Sequence, residues 1–353
     1  MRKVYRILVI SLLSLAVLSG FYFLLLKQEH KLTSEEFLMD TLVSISTYGA
    51  DTDFLQEATE KAFKEMRRIA TLSDRFPSPG TTASELSEIV KTNSMAGIEP
   101  VVLNEDVFTM LQLAQEYSQL TKGEFDVTIG PILDLWGFGH DQQKVPTNNE
   151  LEDVLPLVNY RNLILDKEKK SAFLSQKGMS LDLGAVAKGY AVEKAAQILQ
   201  EEGVKKALIN AGGNIRVIGK KTKTDFWKIG IQDPRDPLAL IGILSLENEA
   251  AVTSGDYNRT IEIAGRSYHH LLSAQTGYPA GNNMSVTVVA PDAGQADLLS
   301  TSLFLLEPQQ ALALVAELSK VEVIIVTADK KILCSPGLKD KFVYSAGEGY
   351  SYD

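Results

Sequence analysis

An uncharged apolar run from Ile7 to Leu26 constrains this chain more than any other sequence feature. A helix of that length rises to roughly 30 Å, which matches the hydrocarbon thickness of a bilayer. Arg2, Lys3 and Arg6 precede the run and Lys27 ends it. Flanking cations of this kind favour a cytoplasmic N-terminus and export of the rest of the chain. We therefore predict a protein of the cell membrane that crosses it once.

The domain boundaries follow from this interpretation. We predict the following order: a basic cytoplasmic N-terminus (1–6), a transmembrane or signal-anchor helix (7–26), a short polar stalk (27–37) and one extracytoplasmic domain (38–353). A cleaved signal peptide is the alternative for the apolar run. Its end carries the bulky residues 21–24, without a small-residue cleavage pattern, which favours an uncleaved anchor.

Charge and cysteine content narrow the function classes. The net charge is −10, and residues 1–26 contribute three positive charges and no negative ones, so the remainder stands near −13. Such an acidic surface disfavours nucleic acid as a partner, and a phosphorylated ligand would need a local cation or backbone amides to offset its charge. Cys334 is the only cysteine, which excludes an intramolecular disulfide and is typical of a small buried apolar residue.

The pattern of short elements predicts an α+β fold. From Met179 onward, short apolar strands are joined by Gly- and Asp-rich turns, which favours antiparallel pairing. The predicted strands are 179–183, 206–210, 214–219, 227–232, 240–246, 284–290 and 321–327, and the predicted helices among them are 185–202, 293–306 and 308–319.

Several common motifs are absent from the sequence. It contains no GxxxxGK[ST] loop, no GxGxxG after a strand, no HExxH and no CxxC. Four histidines offer too few clustered ligands for a typical zinc site. These absences leave chemistry with a hard cation, or chemistry without a metal.

Two helix-associated segments are candidates for that chemistry. After Asp182 the chain turns into a helix whose free N–H groups suit an anion, and Lys188 on that helix suits a phosphate. An ordinary strand–helix junction is the alternative. On a later helix, Asp297 and Thr301 are four residues apart and share a face, so they offer two oxygen ligands to Mg²⁺. Two solvated polar residues are the alternative there.

Further candidates lie in loops. His269 and His270 precede a Gly/Pro turn, where one imidazole would serve as a general base and a structural role is the alternative. Phe125 and Trp136 lie near Gly and Pro residues that interrupt regular structure. There they would either line the binding site of a planar ring or belong to the core. The Gly-Gly pair in residues 210–214 predicts a tight turn or a close backbone approach to a ligand.

In this order, the segments resemble the FAD:protein FMN transferase (ApbE-type) family over roughly residues 38–335. The matching stretches are M-D-T (39–41), L-S-D-R-F (72–76), G-E-F-D-V-T-I-G-P (123–131), L-D-L-G-A-V-A-K-G-Y-A (181–191), N-A-G-G-N (210–214), H-L-L-S-A-Q-T-G (270–277) and A-D-L-L-S-T (296–301).

The resemblance implies an α+β, T-fold-related architecture with FAD as substrate and Mg²⁺ on its diphosphate. It implies that the Ala185 backbone oxygen, Asp297 and Thr301 hold the metal, and that His270 takes a proton from a Thr or Ser of an exported acceptor protein. The residues that it places along FAD are Met39, Phe76, Glu124, Phe125, Asp126, Asp182, Lys188 and Leu271.

The chain departs from the family pattern at four positions. Asp40 stands where the family often has Gly, Ser273 and Ala274 replace Asp and Pro, and Asn214 replaces a common acid. The substitution at Ser273 puts the orientation of the histidine and the number of metal ions in question. Two other functions remain open at this point: an FAD pyrophosphatase that uses water and releases FMN and AMP, and a surface flavin-binding protein without turnover.

Overall fold

The computed structural model describes residues 29–76, 80–82, 85–138, 142–345, 347 and 349–352. The predicted basic N-terminus and the predicted anchor over residues 7–26 lie outside these ranges. Within them, no helix has both the length and the apolar character needed to cross a membrane.

The described chain contains eight α-helices and seventeen strands. The helices are α1 (Thr52–Ser73), α2 (Glu88–Ser94), α3 (Glu105–Leu120), α4 (Gly130–Trp136), α5 (Asn148–Val154), α6 (Ala187–Glu201), α7 (Ala293–Phe304) and α8 (Pro308–Glu317). The strands are β1 (His30–Leu38), β2 (Thr41–Gly49), β3 (Val101–Val102), β4 (Leu163–Asp166), β5 (Ser171–Leu174), β6 (Ala207–Ala211), β7 (Asn214–Ile218), β8 (Trp227–Asp233), β9 (Asp236–Leu246), β10 (Ala250–Gly255), β11 (Thr260–Ile263), β12 (Arg266–His269), β13 (Asn283–Ala290), β14 (Glu322–Thr327), β15 (Lys331–Cys334), β16 (Phe342–Tyr344) and β17 (Ser351–Tyr352). Short 3₁₀ helices occupy Leu155–Leu157, Tyr160–Asn162 and Pro336–Leu338.

A nine-stranded sheet forms the centre of the structure, in the order β1-β2-β6-β7-β10-β13-β14-β15-β17. Its neighbouring strands pair antiparallel, except that β15 and β17 are parallel. Smaller sheets are formed by β16-β9-β8, by β3-β5-β4 and by the hairpin β11-β12. The predicted α+β class with antiparallel sheets is confirmed.

The central sheet is covered on both faces, so its strands contribute to two apolar cores. On β14, Val323 and Ile325 belong to the larger core, which also contains buried residues of α1, α3, α6 and α7. Ile324 and Val326, on the opposite face, pack with residues of β8, β9 and β16. This arrangement follows from the two-residue period of a strand. It fixes α6 and α7 on one face of the sheet, where most of the predicted site residues lie.

The predicted stalk over residues 27–37 is wrong for residues 30–37. These residues form most of β1, whose nine residues all pair with β2, from His30 opposite Gly49 to Leu38 opposite Thr41. Alternate side chains of β1 are half-buried. Because the segment is mostly polar, its two-residue hydrophobic period is weak, and the sequence alone does not distinguish this strand from a linker.

The predicted strand over residues 179–183 is also wrong, since only an isolated parallel bridge joins Ser180 to Ile129. The Leu181 amide instead donates to the Asn93 side chain at 2.7 Å, and the Leu181 carbonyl accepts from the same side chain at 3.1 Å. A side chain therefore satisfies the backbone groups that a neighbouring strand would have used. The other predicted strands after residue 200, and the predicted helices from α6 to α8, are confirmed to within a few residues.

Candidate active site

A buried arginine fixes the turn that leads into α6. The Arg75 side chain is 8% exposed, and its guanidinium donates to Asp182 at 3.0 Å and to Asp134 at 2.7 Å. The other Asp182 carboxylate oxygen accepts from the Gly184 amide at 2.7 Å. Asp182, which the resemblance places along FAD, therefore holds the geometry of the turn immediately before α6.

Helix α6 begins without a side-chain cap from its own chain segment. The Gly189 amide belongs to the first turn of α6, where backbone amides have no carbonyl partner within the helix. It donates instead to Asp297 Oδ2 on α7, at 2.7 Å. Asp297 therefore satisfies a free amide at the start of α6, and Ala185, whose carbonyl the resemblance assigns to the metal, lies two residues before that start.

This contact requires a glycine at position 189. A Cβ atom there would lie 2.3 Å from Asp297 Cβ and 2.5 Å from the Ala293 carbonyl oxygen. Both distances are far below van der Waals contact, and the obstruction comes from the Asp297 side chain and the Ala293 backbone. Gly189 therefore sets how closely the start of α6 approaches α7.

Asp297 is a carboxylate in an almost dry environment, since the residue is 4% exposed. Burial raises the pKa of Asp297, while the charge of Lys188 and the hydrogen bond from the Gly189 amide oppose that rise. Lys188 Nζ lies 3.9 Å from Asp297 Oδ1. Burial likewise lowers the pKa of Lys188, against the influence of Asp297. Each charge thus reduces the free-energy cost of burying the other.

Asn214 at the start of β7 completes this polar cluster. Its Oδ1 atom accepts a hydrogen bond from Lys188 Nζ at 2.6 Å. Its Nδ2 atom interacts with the Asp297 carboxylate but lies outside hydrogen-bonding geometry, and the residue is 1% exposed. Buried donors without a hydrogen-bond partner are rare in folded proteins, and a bound ion or water is one of the explanations for such a donor.

The oxygen donors at this place suit a small hard cation. Thr301 lies one turn after Asp297 on α7, and its Oγ1 is 3.2 Å from Ser254 Oγ on β10. Within the described ranges, no group of three or more His, Cys, Asp and Glu residues is arranged to hold a metal. A single carboxylate with a carbonyl and a hydroxyl is instead the kind of ligand set that Mg²⁺ completes with water and phosphate oxygens. The residues present therefore fit that ion.

The two adjacent histidines differ in how their ring nitrogens are used. His269 Nε2 contacts the Ala280 carbonyl at 2.9 Å, and its Nδ1 accepts from the Leu271 amide at 3.3 Å. His270 Nδ1 contacts the Asn258 carbonyl at 3.2 Å. A carbonyl only accepts, so this bond puts the His270 proton on Nδ1 and leaves Nε2 able to accept one. The geometry therefore selects His270 as the base of the pair.

The ring of His270 is kept neutral by its surroundings. Burial lowers the pKa of His270 to about 4, and the nearby positive charge of Arg259 acts in the same direction. A neutral imidazole is the form that removes a proton from an acceptor hydroxyl.

Ser273, which replaces an acid of the family pattern, joins two site loops. Its hydroxyl donates to Glu124 Oε2 at 2.9 Å and accepts from the Gln275 and Thr276 amides at 3.2 and 3.3 Å. An aspartate at this position would place a second negative charge against Glu124. In place of that acid, Ser273 links the Glu124 loop to the turn after Ser273, and His270 has its contact with the Asn258 carbonyl.

The remaining predicted FAD residues fall into two groups. Phe125 and Leu271 are each 5% exposed and pack in the larger core. The buried carboxylate of Asp126 accepts from the Thr128 amide and hydroxyl and from the Tyr160 amide, so it shapes its own loop.

By contrast, Phe76 is 39% exposed, with the Arg75 guanidinium 5.0 Å from its ring centre. Met39 is half-buried in the turn of the β1–β2 hairpin, where its φ is 51°. That turn rests on Gly212, where a Cβ would lie 2.3 Å from Thr41 Oγ1. Ala211 of β6 pairs with Asn214 of β7, so the Gly-Gly pair between them forms a tight turn. This is one of the two roles predicted for it.

Sequence reasoning did not single out Arg75, Ser254 or Arg259 as site residues. Arg75 belongs to the L-S-D-R-F stretch, so its place in a matching motif was a usable signal. Ser254 and Arg259 carried no such signal, because they reach the site only through the pairing of β10 and the β11–β12 hairpin with their neighbours.

A cluster of oxygen donors with one buried carboxylate and a neutral histidine is typical of enzymes that act on phosphate groups with a hard cation. The comparisons with known proteins agree with that class. The chain belongs to the ApbE family, whose sequence model matches residues 39–325.

Named relatives extend this result. The chain is 35% identical over 277 residues to a Klebsiella pneumoniae protein named FAD:protein FMN transferase, covering 78% of this chain and 86% of the relative. It is 32% identical over 272 residues to a Treponema pallidum protein of the same name, covering 72% and 75%.

Solved structures support the same fold. The crystal structure of the ApbE protein of Thermotoga maritima superposes with a TM-score of 0.80 at 31% identity, over 89% of this chain and 99% of that one. The Vibrio cholerae flavin transferase ApbE gives a TM-score of 0.71 at 25% identity, over 92% and 98%.

Proposed function

We propose that this chain is a Mg²⁺-dependent FAD:protein FMN transferase that attaches FMN through a phosphoester bond to a Thr or Ser of an exported protein. The names of the relatives support the transferase activity and its substrate. The observation that carries the proposal is the contact between the Gly189 amide and Asp297, because it holds a buried carboxylate at the start of α6, beside Lys188.

Each residue has a defined part in this reaction. His270 Nε2 takes the proton of the acceptor hydroxyl, and the resulting oxygen attacks the FMN-side phosphorus of FAD. The bond from that phosphorus to the bridging oxygen breaks, and AMP leaves with this oxygen. Asp297, Thr301 and the Ala185 carbonyl would hold Mg²⁺, which supplies neutralisation of the charge on the diphosphate. Lys188 adds a positive charge at the same place.

The membrane location is part of the proposal. The apolar run over residues 7–26 and its flanking cations favour a single anchor with the catalytic domain outside the cytoplasm. The acceptor is then a protein exposed on the same side of the membrane. A reporter fused after residue 353, active only outside the cytoplasm, should be active; an inactive reporter with full expression would contradict this location.

The activity is tested with the purified full-length chain, FAD, Mg²⁺ and candidate exported acceptors. Flavin fluorescence that survives a denaturing gel in the acceptor band, together with AMP release, is the expected result. Chelation of Mg²⁺ should abolish both signals. Release of AMP with free FMN only, across acceptors that other ApbE proteins modify, would favour the pyrophosphatase, and unchanged FAD with such acceptors would favour a flavin-binding protein.

A further inference from the structure

Arg259 lies beside the proposed base through the pairing of the β11–β12 hairpin. Thr260 pairs with His269 at the open end of this hairpin, so the next residue on each strand, Arg259 and His270, face one another beyond it. The preceding residue, Asn258, supplies the carbonyl that contacts His270 Nδ1. The position of Arg259 is therefore fixed relative to His270 by backbone geometry.

Arg259 forms a weak, exposed ion pair with Asp40. Its Nη2 atom lies 3.6 Å from Asp40 Oδ2, with 52% of the Arg259 side chain and 86% of the Asp40 side chain exposed. Single exposed pairs of this kind contribute little to stability. Both residues adopt left-handed backbone conformations, with φ of 46° and 60°, in two loops that meet at the site. The tip of the β1–β2 hairpin, which carries Met39, therefore presents an acid to Arg259.

The positive charge of Arg259 influences three titratable groups of the site. It acts to lower the pKa values of His270, Lys188 and Asp297, although burial is the largest influence on each of them and raises the pKa of Asp297. The hairpin holds Arg259 beside His270, and the proposed function brings the diphosphate of FAD to that histidine, so a guanidinium there is within reach of phosphate oxygens. Its planar fork also matches two phosphate oxygens better than it matches one distant carboxylate oxygen.

We propose that Arg259 is a phosphate-binding residue that exchanges Asp40 for the diphosphate of FAD when the dinucleotide enters. The inference rests on the proposed function for the identity of the ligand. Before FAD binds, Asp40 is the ion-pair partner of the Arg259 guanidinium. The exchange involves no covalent step.

Flavin titrations of the full-length chain test this exchange. We expect Arg259→Gln to weaken FAD binding by about 10- to 50-fold, the usual range for a lost charge-assisted contact, and to leave riboflavin binding unchanged because riboflavin has no phosphate. The FAD affinity of the variant should also depend less on salt concentration than that of the unchanged chain. Arg266→Gln, an exposed substitution on β12 of the same hairpin, is the matched control and should bind FAD like the unchanged chain.

Asp40→Asn tests the other half of the exchange. Removing the competing acid should raise FAD affinity by about two- to fivefold, in line with a weak exposed pair. Equal FAD affinity in the Arg259→Gln variant and the unchanged chain would overturn the proposal, and so would an equal loss of riboflavin binding. Weaker FAD binding by Asp40→Asn would overturn the role of Asp40.

These outcomes are separate from those of the transfer assay. If no acceptor is labelled but Arg259→Gln still selectively weakens FAD binding, the phosphate-binding role stands and the transferase proposal fails. If transfer is observed and FAD binding is insensitive to Arg259, the reverse holds.

Discussion

The starts of α6 and α7 lie against each other and are completed in opposite ways. Helix α7 is capped by its own Asp292, which accepts from the Gln295 amide at 2.8 Å, while the Ala293 amide donates to Glu193 at 2.9 Å. Helix α6 has no such cap, and its Gly189 amide donates to Asp297 of the neighbouring helix.

The difference separates a structural helix start from a functional one. At α7, its own Asp292 and Glu193 of α6 satisfy amides that every helix start leaves free. At α6, a free amide is satisfied by a buried carboxylate of the neighbouring helix, and this contact orients Asp297 towards the start of α6. A similar contrast holds for the adjacent histidines, since both ring nitrogens of His269 have partners and His270 keeps Nε2 as an acceptor. The variants below test whether these contrasts carry the function.

The two aspartates of α7 should give the largest contrast. We expect Asp297→Asn to lower Mg²⁺-dependent AMP release by more than about 10³-fold, because the neutral amide loses the charge that holds a cation. Asp292→Asn keeps a good helix cap, so its activity and stability should stay close to those of the unchanged chain. Initial rates with FAD and acceptor measure the effect. Comparable losses in both variants would remove the distinction between the two helix starts.

The histidine pair should give the next largest effect. We expect His270→Gln to slow transfer by about 10²-fold or more at an unchanged FAD affinity, because general-base catalysis is lost. His269→Gln should retain most of the rate but lower the free energy of unfolding by about 1–3 kcal/mol, since buried partners lose their hydrogen bonds. Single-turnover transfer and thermal unfolding distinguish the two. A slow His269→Gln variant with normal stability would contradict the assignment.

A methyl group at position 189 tests the close approach of the two helices. Gly189→Ala should lower the free energy of unfolding by about 1–3 kcal/mol, the usual cost of overpacking, because its Cβ meets Asp297 and the Ala293 carbonyl. It should also weaken Mg²⁺ dependence by displacing the carboxylate. The control is Gly281→Ala, since a Cβ at Gly281 meets nothing within 4 Å. Denaturant unfolding should show no loss for the control, and equal stability of both variants would mean that the helices separate freely.

The smallest expected effect is a dependence of stability on pH. Burial lowers the pKa values of His269 and His270 below the ordinary value of 6.5. As the pH falls below about 6.5, the unfolded chain therefore binds protons that the folded chain resists, and the free energy of unfolding falls by at most about 1.4 kcal/mol per pH unit for each histidine. Unfolding midpoints between pH 7.5 and pH 5 measure this slope. His270→Gln should make it shallower, and an unchanged slope would show that His270 titrates normally.

The sequence by itself determined the local parts of this protein. The spacing of Asp297 and Thr301 placed both on one face of α7, and the Gly/Asp-rich turns after Met179 predicted antiparallel strands, because these patterns depend on near neighbours along the chain. The sequence-based prediction was wrong at β1, because this polar edge strand has too weak a hydrophobic period to be recognised without its partner β2.

Only the tertiary structure decided how the site is assembled. The Gly189 amide and Asp297 are 108 residues apart in the sequence, and only the packing of α6 against α7 brings them together. The choice between His269 and His270 likewise depended on which carbonyls, those of Ala280 and Asn258, the fold brings to their rings. Contacts between distant segments depend on how whole helices and strands pack, and neither composition nor local spacing records that packing.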